Sequence, residues 1–364
     1  MSVLAAIAVL ALLIVVHELG HFIAARAQGI HVNRFSIGFG PILWKYQGPE
    51  TEYAIRGFPL GGFVGFPDDD PENNGIPKDD PNLLSNRPIL DRAIVISAGV
   101  IANLIFAYFL LVGQVGTVGV QDIKYQPGVL VPQVATEVSS AATKAGIKAG
   151  DVIVAADGQT LGASRESIKT LMEVIQSHPQ QTIPLTVQRG SEQVSLQVKP
   201  EPGPDGKGRI GVQLTPNAKV ERRRVTNIGE VFSTAATEFQ RIAVLTVQGF
   251  GQLISNFSKT ADQVAGPVAI VAIGADIARS NAANLFQFGA LISINLAIIN
   301  ILPLPALDGG QLAFLLVEGL RGKPLPTKIQ DGIMQTGLML LLGLGIFLII
   351  RDTVNLGPVQ QLFK

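Results

Sequence analysis

The chain has no cysteine among its 364 residues, so it forms no disulfide and offers no thiolate to a metal. Charge is also scarce. Asp, Glu, Lys and Arg make up 15% of the sequence, against about a quarter in ordinary soluble domains. The 28 basic residues balance the 28 acidic ones, so no net basic field draws nucleic acid. Histidine occurs four times, at His17, His21, His31 and His178. What is plentiful is apolar sequence, 47% of the chain. It comes in blocks separated by ordinary polar stretches, the pattern of a membrane protein that carries a soluble module.

A helix needs about 20 mostly apolar residues to cross a bilayer. Val3 to about Ala27 and Ile89 to about Val115 qualify, as do Asn284 to Leu320, broken by Pro303 and Pro305, and about Met334 to Ile350. A cleaved signal peptide is the rival reading of the first block, because Ala25-Arg26-Ala27 has a small-x-small form. No positive residue precedes that block, which argues against it. Asn33 to Phe66 is rich in glycine, aromatic and β-branched residues and reads as strands, a β-hairpin dipping into the membrane edge under cover of protein. Pro67 to Asn82 is an acidic, proline-rich loop. From about Gln126 to Leu214 the composition turns soluble. "PGVLVPQV" is a predicted strand, "SRESIKTLMEVIQSH" an amphipathic helix with Ile168, Leu171, Met172 and Ile175 on one face, and Arg189-Gly190-Ser191 the turn of a hairpin. Thr226 to about Phe257 is amphipathic and is expected to lie on the membrane surface.

The expected fold is a polytopic α-helical membrane protein, with about four transmembrane helices, a membrane-reentrant β-hairpin and an inserted α+β domain. Its expected parts are residues 1–120, the inserted domain at 121–215, a surface segment at 216–283 and a second membrane part at 284–364. Lys and Arg in the short loops put the amino terminus and the inserted domain outside and the chemistry near the cytoplasmic face.

That chemistry begins in "VVHELGHFIA". His17 and His21 are four residues apart, hence on one helix face and within reach of one Zn2+. Glu18 beside the first ligand is the general base of an H-E-x-x-H pattern. A zinc held there acidifies water and polarises a carbonyl. A catalytic zinc takes three protein ligands. His31 lies beyond the first span and His178 in the soluble module. Asp308 is an acid set among Pro303, Leu304, Pro305, Ala306, Leu307, Gly309 and Gly310, costly in an apolar setting unless a cation relieves it. The expected centre is His17, His21 and Asp308 around one zinc per chain, with Glu18 as base. The bland alternative, a polar patch that glues helices, leaves three ionisable groups on one apolar helix without a reason.

These motifs make the chain resemble the bacterial site-2 protease family, intramembrane zinc metalloproteases of the regulator-of-sigma-E protease type. HELGH is His17 to His21. "FSIGFGPILW" and "TEYAIRGFPLGGFV" resemble the family's reentrant hairpin, with Gly38 and Gly40 in its GxG. "SAGVIANLIFA" contains Gly99 and Asn103. "AGPVAI" follows the outer domain, and "NLAIINILPLPALDGG" carries Asn295, Asn300 and the LDG of Asp308. Val100 stands where the family often has proline and Gln311 where it often has histidine, neither at a ligand or base position. The resemblance implies that residues 126 to 214 are one PDZ domain of bacterial type, with a groove at Gly128, Val129, Leu130 and Val131, read as an edge strand. Two roles are open for that domain: binding a carboxyl tail at the edge strand, or, the reading the sequence favours, standing over the site as a steric filter against bulky substrates. The resemblance also implies the substrates: single-pass transmembrane proteins, such as anti-sigma factors or remnant signal peptides, pre-trimmed by an upstream protease in the inner membrane of a bacterium. Asn103, Asn295, Asn300, Gly38 and Gly40 are the expected substrate-binding residues. The lipid bilayer is the other partner, and no nucleic acid is expected. The competing functions are a membrane zinc transporter, against which the absence of paired half-repeats speaks, and a non-catalytic PDZ scaffold.

Overall fold

A computed structural model describes residues 2–69, 76–134, 140–256 and 264–355. The middle of the expected acidic loop, residues 70–75, lies outside them. The chain divides into two compact units, Met1–Gly119 with Arg224–Lys364, and Val120–Arg223.

The first unit opens with helix α1 (Ser2–Ala27). Its apolar run continues through the HELGH motif, and it ends where Gly29 takes φ +71°. There the Ile30 amide donates to the Ala25 carbonyl at 3.0 Å, a left-handed cap that uses up a terminal acceptor. Strands β1 (Arg34–Gln47) and β2 (Glu52–Gly65) follow. They make more than the expected hairpin. The second half of β1 pairs with the start of β2 as a hairpin does, Gln47 opposite Glu52 and Trp44 opposite Ile55. The first half of β1 runs beside that same start of β2, with Arg34 opposite Glu52 and Ile37 opposite Ile55, and also pairs with the end of β2, with Arg34 opposite Gly65 and Ile37 opposite Gly62. The ribbon is thus folded back on itself. Gly38, Gly40 and Gly61 make the bends, with φ of +86°, +85° and +93°, a region closed to most side chains. The fold leaves Phe39, Leu43, Trp44, Tyr46 and Phe58 exposed, an apolar patch of the kind that lipid or another protein covers.

Helix α2 (Ile89–Val118) packs against α1 through small residues. A methyl group on Gly20 of α1 would lie 2.7 Å from the Ala102 Cβ and overlap the Ala98 carbonyl. Between apolar helices in lipid such close backbone approach replaces the missing hydrophobic drive.

The second unit is an antiparallel sheet with two helices. Its elements are β3 (Val120–Val134), α3 (Ala141–Lys144), β4 (Val152–Ala156), β5 (Gln159–Thr160), α4 (Ser167–Ser177), β6 (Ile183–Arg189), β7 (Glu192–Val198), β8 (Glu201–Pro202), β9 (Gly208–Arg209) and β10 (Val212–Arg223). The sheet order is β10-β3-β4-β6-β7, with β5 on β4. The apolar face of α4 closes one core with Val129, Val131, Ile153, Leu185 and Val187. β10 continues past residue 215 to Arg223 because it pairs antiparallel along the whole of β3, Arg223 opposite Val120. The expected groove at Gly128 to Val131 needs correcting. Leu130 pairs with Thr215 on one side and Val152 on the other, and Val129 and Val131 are fully buried. A strand paired on both sides has no edge to offer. The open apolar cleft of this unit, about 540 Å³, lies instead between Ile168, Met172 and Ile175 of α4 and Ile210, Val212 and Leu214.

The chain returns to the first unit as α5 (Ile228–Ser255), α6 (Pro267–Ser280), α7 (Leu285–Ile301), α8 (Asp308–Arg321) and α9 (Thr327–Val354). Among the described residues, four helical stretches are long and apolar enough to cross a membrane: Ser2–Ala27, Ile89–Val118, Ala282–Ile301 and Thr327–Val354. The block broken by Pro303 and Pro305 becomes two helices, since proline removes a helical N–H and clashes with the turn before it. α2 lies at the centre of the unit and touches α1, α5, α7 and α8.

Candidate metal centre

Helices α1, α2, α7, α8 and α9 and strand β2 bring the centre together. α1 presents His17 and His21 on one face, with their rings edge to face at 4.8 Å. The turn between α7 and α8 presents Asp308. That turn is tight: Ala306 has φ +67°, and methyl groups on Gly309 or Gly310 would overlap the carbonyls of Leu302 and Leu304. α9 holds it from outside, where the Met334 sulfur accepts from the Ala306 amide at 3.3 Å and Gly337 leaves room for Pro305. A left-handed residue without a glycine costs about 1–3 kcal/mol and marks a place the surroundings over-determine. Asp308 is the first residue of α8, where the positive end of the helix dipole favours a carboxylate.

Three ligand atoms converge. The His17 Nε2 is 3.3 Å from the Asp308 Oδ2, the His21 Nε2 is 3.5 Å from it, and the two Nε2 atoms are 3.3 Å apart. Ligands on one tetrahedral zinc at about 2.0–2.1 Å stand about 3.3–3.4 Å from each other, so this triangle has the right size. The Asp308 Oδ2 is buried and lacks a hydrogen-bond partner. An orphaned buried oxygen carries the full desolvation cost unless a cation meets it. The donor set and the orphan both fit zinc.

The surrounding residues fix the rings. The His21 Nδ1 lies 2.8 Å from the Val95 carbonyl, which makes Nδ1 the donor and leaves Nε2 free for metal. The Asn103 amide is 3.3 Å from the His17 Nδ1, and the Asn300 amide 3.4 Å from the His17 Nε2. The backbone at Asn103 is tied to α7, where the Ser293 hydroxyl donates to the Asn103 main-chain carbonyl at 2.8 Å. Gly99 leaves space for the imidazoles: a methyl there would lie 2.7 Å from the His17 Cε1 and overlap the His21 Nε2. β2 closes on Glu18 at Gly62, where a methyl would come 2.9 Å from the Glu18 Cγ.

Of the residues expected from sequence, the structure brings His17, His21 and Asp308 into one cluster and sets Asn103 and Asn300 at His17. Asn295 lies on α7 without such a contact. Gly38 and Gly40 sit at the ribbon bends, close to Phe58. The Val95 carbonyl and Gly62 were not foreseeable as site atoms in the same way: any helical carbonyl looks alike in sequence, although the Gly61-Gly62 pair in a strand is a signal of close backbone approach.

The sequence model described as peptidase family M50 matches residues 5–344. The chain belongs to peptidase family M50. It is 66% identical, over 100% of each chain, to a protein of Nostoc sp. whose name includes zinc metalloprotease. It is 31% identical to regulator of sigma-E protease RseP of Escherichia coli, over 94% of this chain and 96% of that one. A solved PDZ domain of an SdrC-like protein from Listeria innocua is similar to 27% of this chain and 99% of its own, at 26% identity and a TM-score of 0.20. As an M50 member the chain is a zinc metalloprotease of the site-2 type, carried on membrane helices.

Proposed function

We propose that this M50 protease cuts within the bilayer, in the transmembrane segments of single-pass proteins whose outer parts another protease has already removed. Anti-sigma factors and remnant signal peptides are substrates of that class. The observation that carries the reading is the triangle of His17, His21 and Asp308 ending on an orphaned carboxylate oxygen among apolar helices. In this reading the three residues hold one zinc, which when bound supplies Lewis acidity to a peptide carbonyl and to water.

The rest is the work of the chain's own groups. Glu18 takes a proton from water and later delivers it to the leaving amine. A helical substrate hides its carbonyls in its own hydrogen bonds, so a stretch must unwind first. The β1–β2 ribbon, with Gly38 and Gly40 at its bends, offers backbone groups for strand addition to that stretch. Asn300 and Asn295 are suited to bond its freed amides, and Asn103 sets its side-chain amide against the His17 ring. The protein works in a bacterial inner membrane, with the amino terminus and the 120–223 unit outside and the metal centre toward the cytoplasm; α5 lies along the surface.

The test is a Glu18→Gln variant. It should keep zinc, lose cleavage by about 10²–10⁴-fold as a lost general base does, and retain uncut single-pass proteins through purification. Cleavage at the unmutated rate would remove Glu18 from its role. Retained partners that lack a transmembrane segment would refute the substrate class.

A further inference from the structure

The metal centre joins two helices that hold each other through a third. His17 and His21 belong to α1, Asp308 to α8, and α8 packs chiefly on α2. One stripe of α2 serves the whole centre. Arg92, Val95, Gly99 and Asn103 are spaced by three, four and four residues, so they line one helix face. Val95 accepts from His21, Gly99 gives room to both rings, and Asn103 meets His17. Arg92, the next member of the stripe, is ion-paired with Glu318 of α8. The neighbouring acid on α2, Asp91, is engaged by Arg87 at 3.3 Å, so Glu318 is the carboxylate Arg92 meets.

Both partners are largely covered, with side chains 16% and 14% exposed, and the Arg92 Nε is buried without a partner. An ion pair at the end of two apolar helices is costly to desolvate and costlier to break. It is poor general glue, so its position asks for a reason. Glu318 lies ten residues from Asp308, about 15 Å along α8 at the usual rise. The Asp308 end of α8 is set by the strained Pro303–Gly310 turn. The Glu318 end is set by Arg92.

We infer that Arg92 and Glu318 are positioning residues that clamp α8 on α2 and so hold the Asp308 carboxylate in register with His17 and His21. The inference rests on the proposed ligand set. The clamp acts on metal affinity through geometry, touching neither zinc nor substrate.

The test measures zinc dissociation by chelator competition on the full-length purified protein. The variants are Arg92→Gln, Glu318→Gln, Glu318→Asp, the swap of Arg92→Glu with Glu318→Arg, and Asp308→Ala as reference. Each Gln variant should weaken zinc by about 10–100-fold, the usual scale for groups that orient a ligand. The swap should recover most of that loss, which a merely space-filling role would not produce. Glu318→Asp keeps the charge and the fold but shortens the reach, and should weaken zinc several-fold even if the Gln variants fail to accumulate. Unchanged zinc affinity in Glu318→Asp, or a swap as weak as the single variants, would overturn the clamp. If Asp308→Ala itself holds zinc normally, it is the ligand assignment that fails; if Asp308→Ala loses zinc while Glu318→Asp and the Gln variants keep it, the clamp alone fails.

Discussion

Two shielded carboxylates, Asp151 in the 120–223 unit and Asp308 in the helical unit, are treated in opposite ways. In the 120–223 unit, Asp151 is met on every side. Arg189 donates to it twice, at 2.8 and 2.7 Å, and the Lys148 amide donates at 2.8 Å. In the helical unit, Asp308 points an oxygen at two imidazole nitrogens and has no hydrogen bond there. Burial alone therefore says little about what an acid does. A carboxylate whose partners are all supplied is a brace, and its charge stabilises the fold. One left open is a place where something else completes the structure. The same contrast separates the sheets. The six-stranded sheet of the second unit turns its apolar side chains into one buried core, whereas the β1–β2 ribbon keeps a row of aromatic side chains exposed.

Exchanging the two acids breaks the comparison most sharply. Asp308→Asn should abolish zinc binding and cleavage while the helices still assemble. Asp151→Asn should leave zinc content unchanged and destabilise the 120–223 unit by about 2 kcal/mol, near the lower end for charged hydrogen bonds because Arg189 is one-third exposed. Zinc analysis and hydrogen exchange on the intact chain read both. An Asp151→Asn protein that loses zinc would undo the division of roles. A smaller effect is expected from Gly99→Ala. Its methyl must displace the His21 and His17 rings, so zinc affinity should fall about 10–100-fold, as for other disturbances of ligand orientation. Gly343→Ala, with open space around it, is the control and should change nothing.

The smallest effect is in pH. The hydrogen bonds from Arg189 hold the Asp151 carboxyl below the ordinary carboxylate range, against the opposing push of burial. A depressed value means stability that is fully present above the unfolded value, about 3.9, and lost as pH falls through the folded one. Exchange protection in the 120–223 unit should thus be flat from neutral pH to about 5 and decline below about 4. Asp151→Asn should flatten that decline. A decline that begins near neutral pH in the unmutated chain would point to some other group.

The candidate centre, the cluster of His17, His21 and Asp308, was legible because its residue types are wrong for their surroundings. Two histidines and a glutamate in α1, and an aspartate between prolines and glycines, make no sense in lipid without a cation. Four apolar stretches were equally plain from their length. The folded-back ribbon was not, since it depends on three glycines taking positive φ, and period-two alternation reads the same in a simple hairpin. The misplaced groove has a topological cause. "PGVLVPQV" has the alternation of a strand, but whether it is an edge depends on β10, which returns from the far end of the unit to cover it. The Ile210-Gly211-Val212-Gln213-Leu214 alternation beside a glycine-rich turn was the available signal for the cleft. The partnership of Arg92 and Glu318 spans more than half the chain, and nothing local in either segment announces it.

X-ray absorption at the zinc edge of the purified protein tests the central claim most directly. The account predicts one zinc per chain, with two imidazole nitrogens and a carboxylate oxygen at about 2.0–2.1 Å, and loss of that spectrum in Asp308→Ala. A first coordination shell that is unchanged by Asp308→Ala would contradict it.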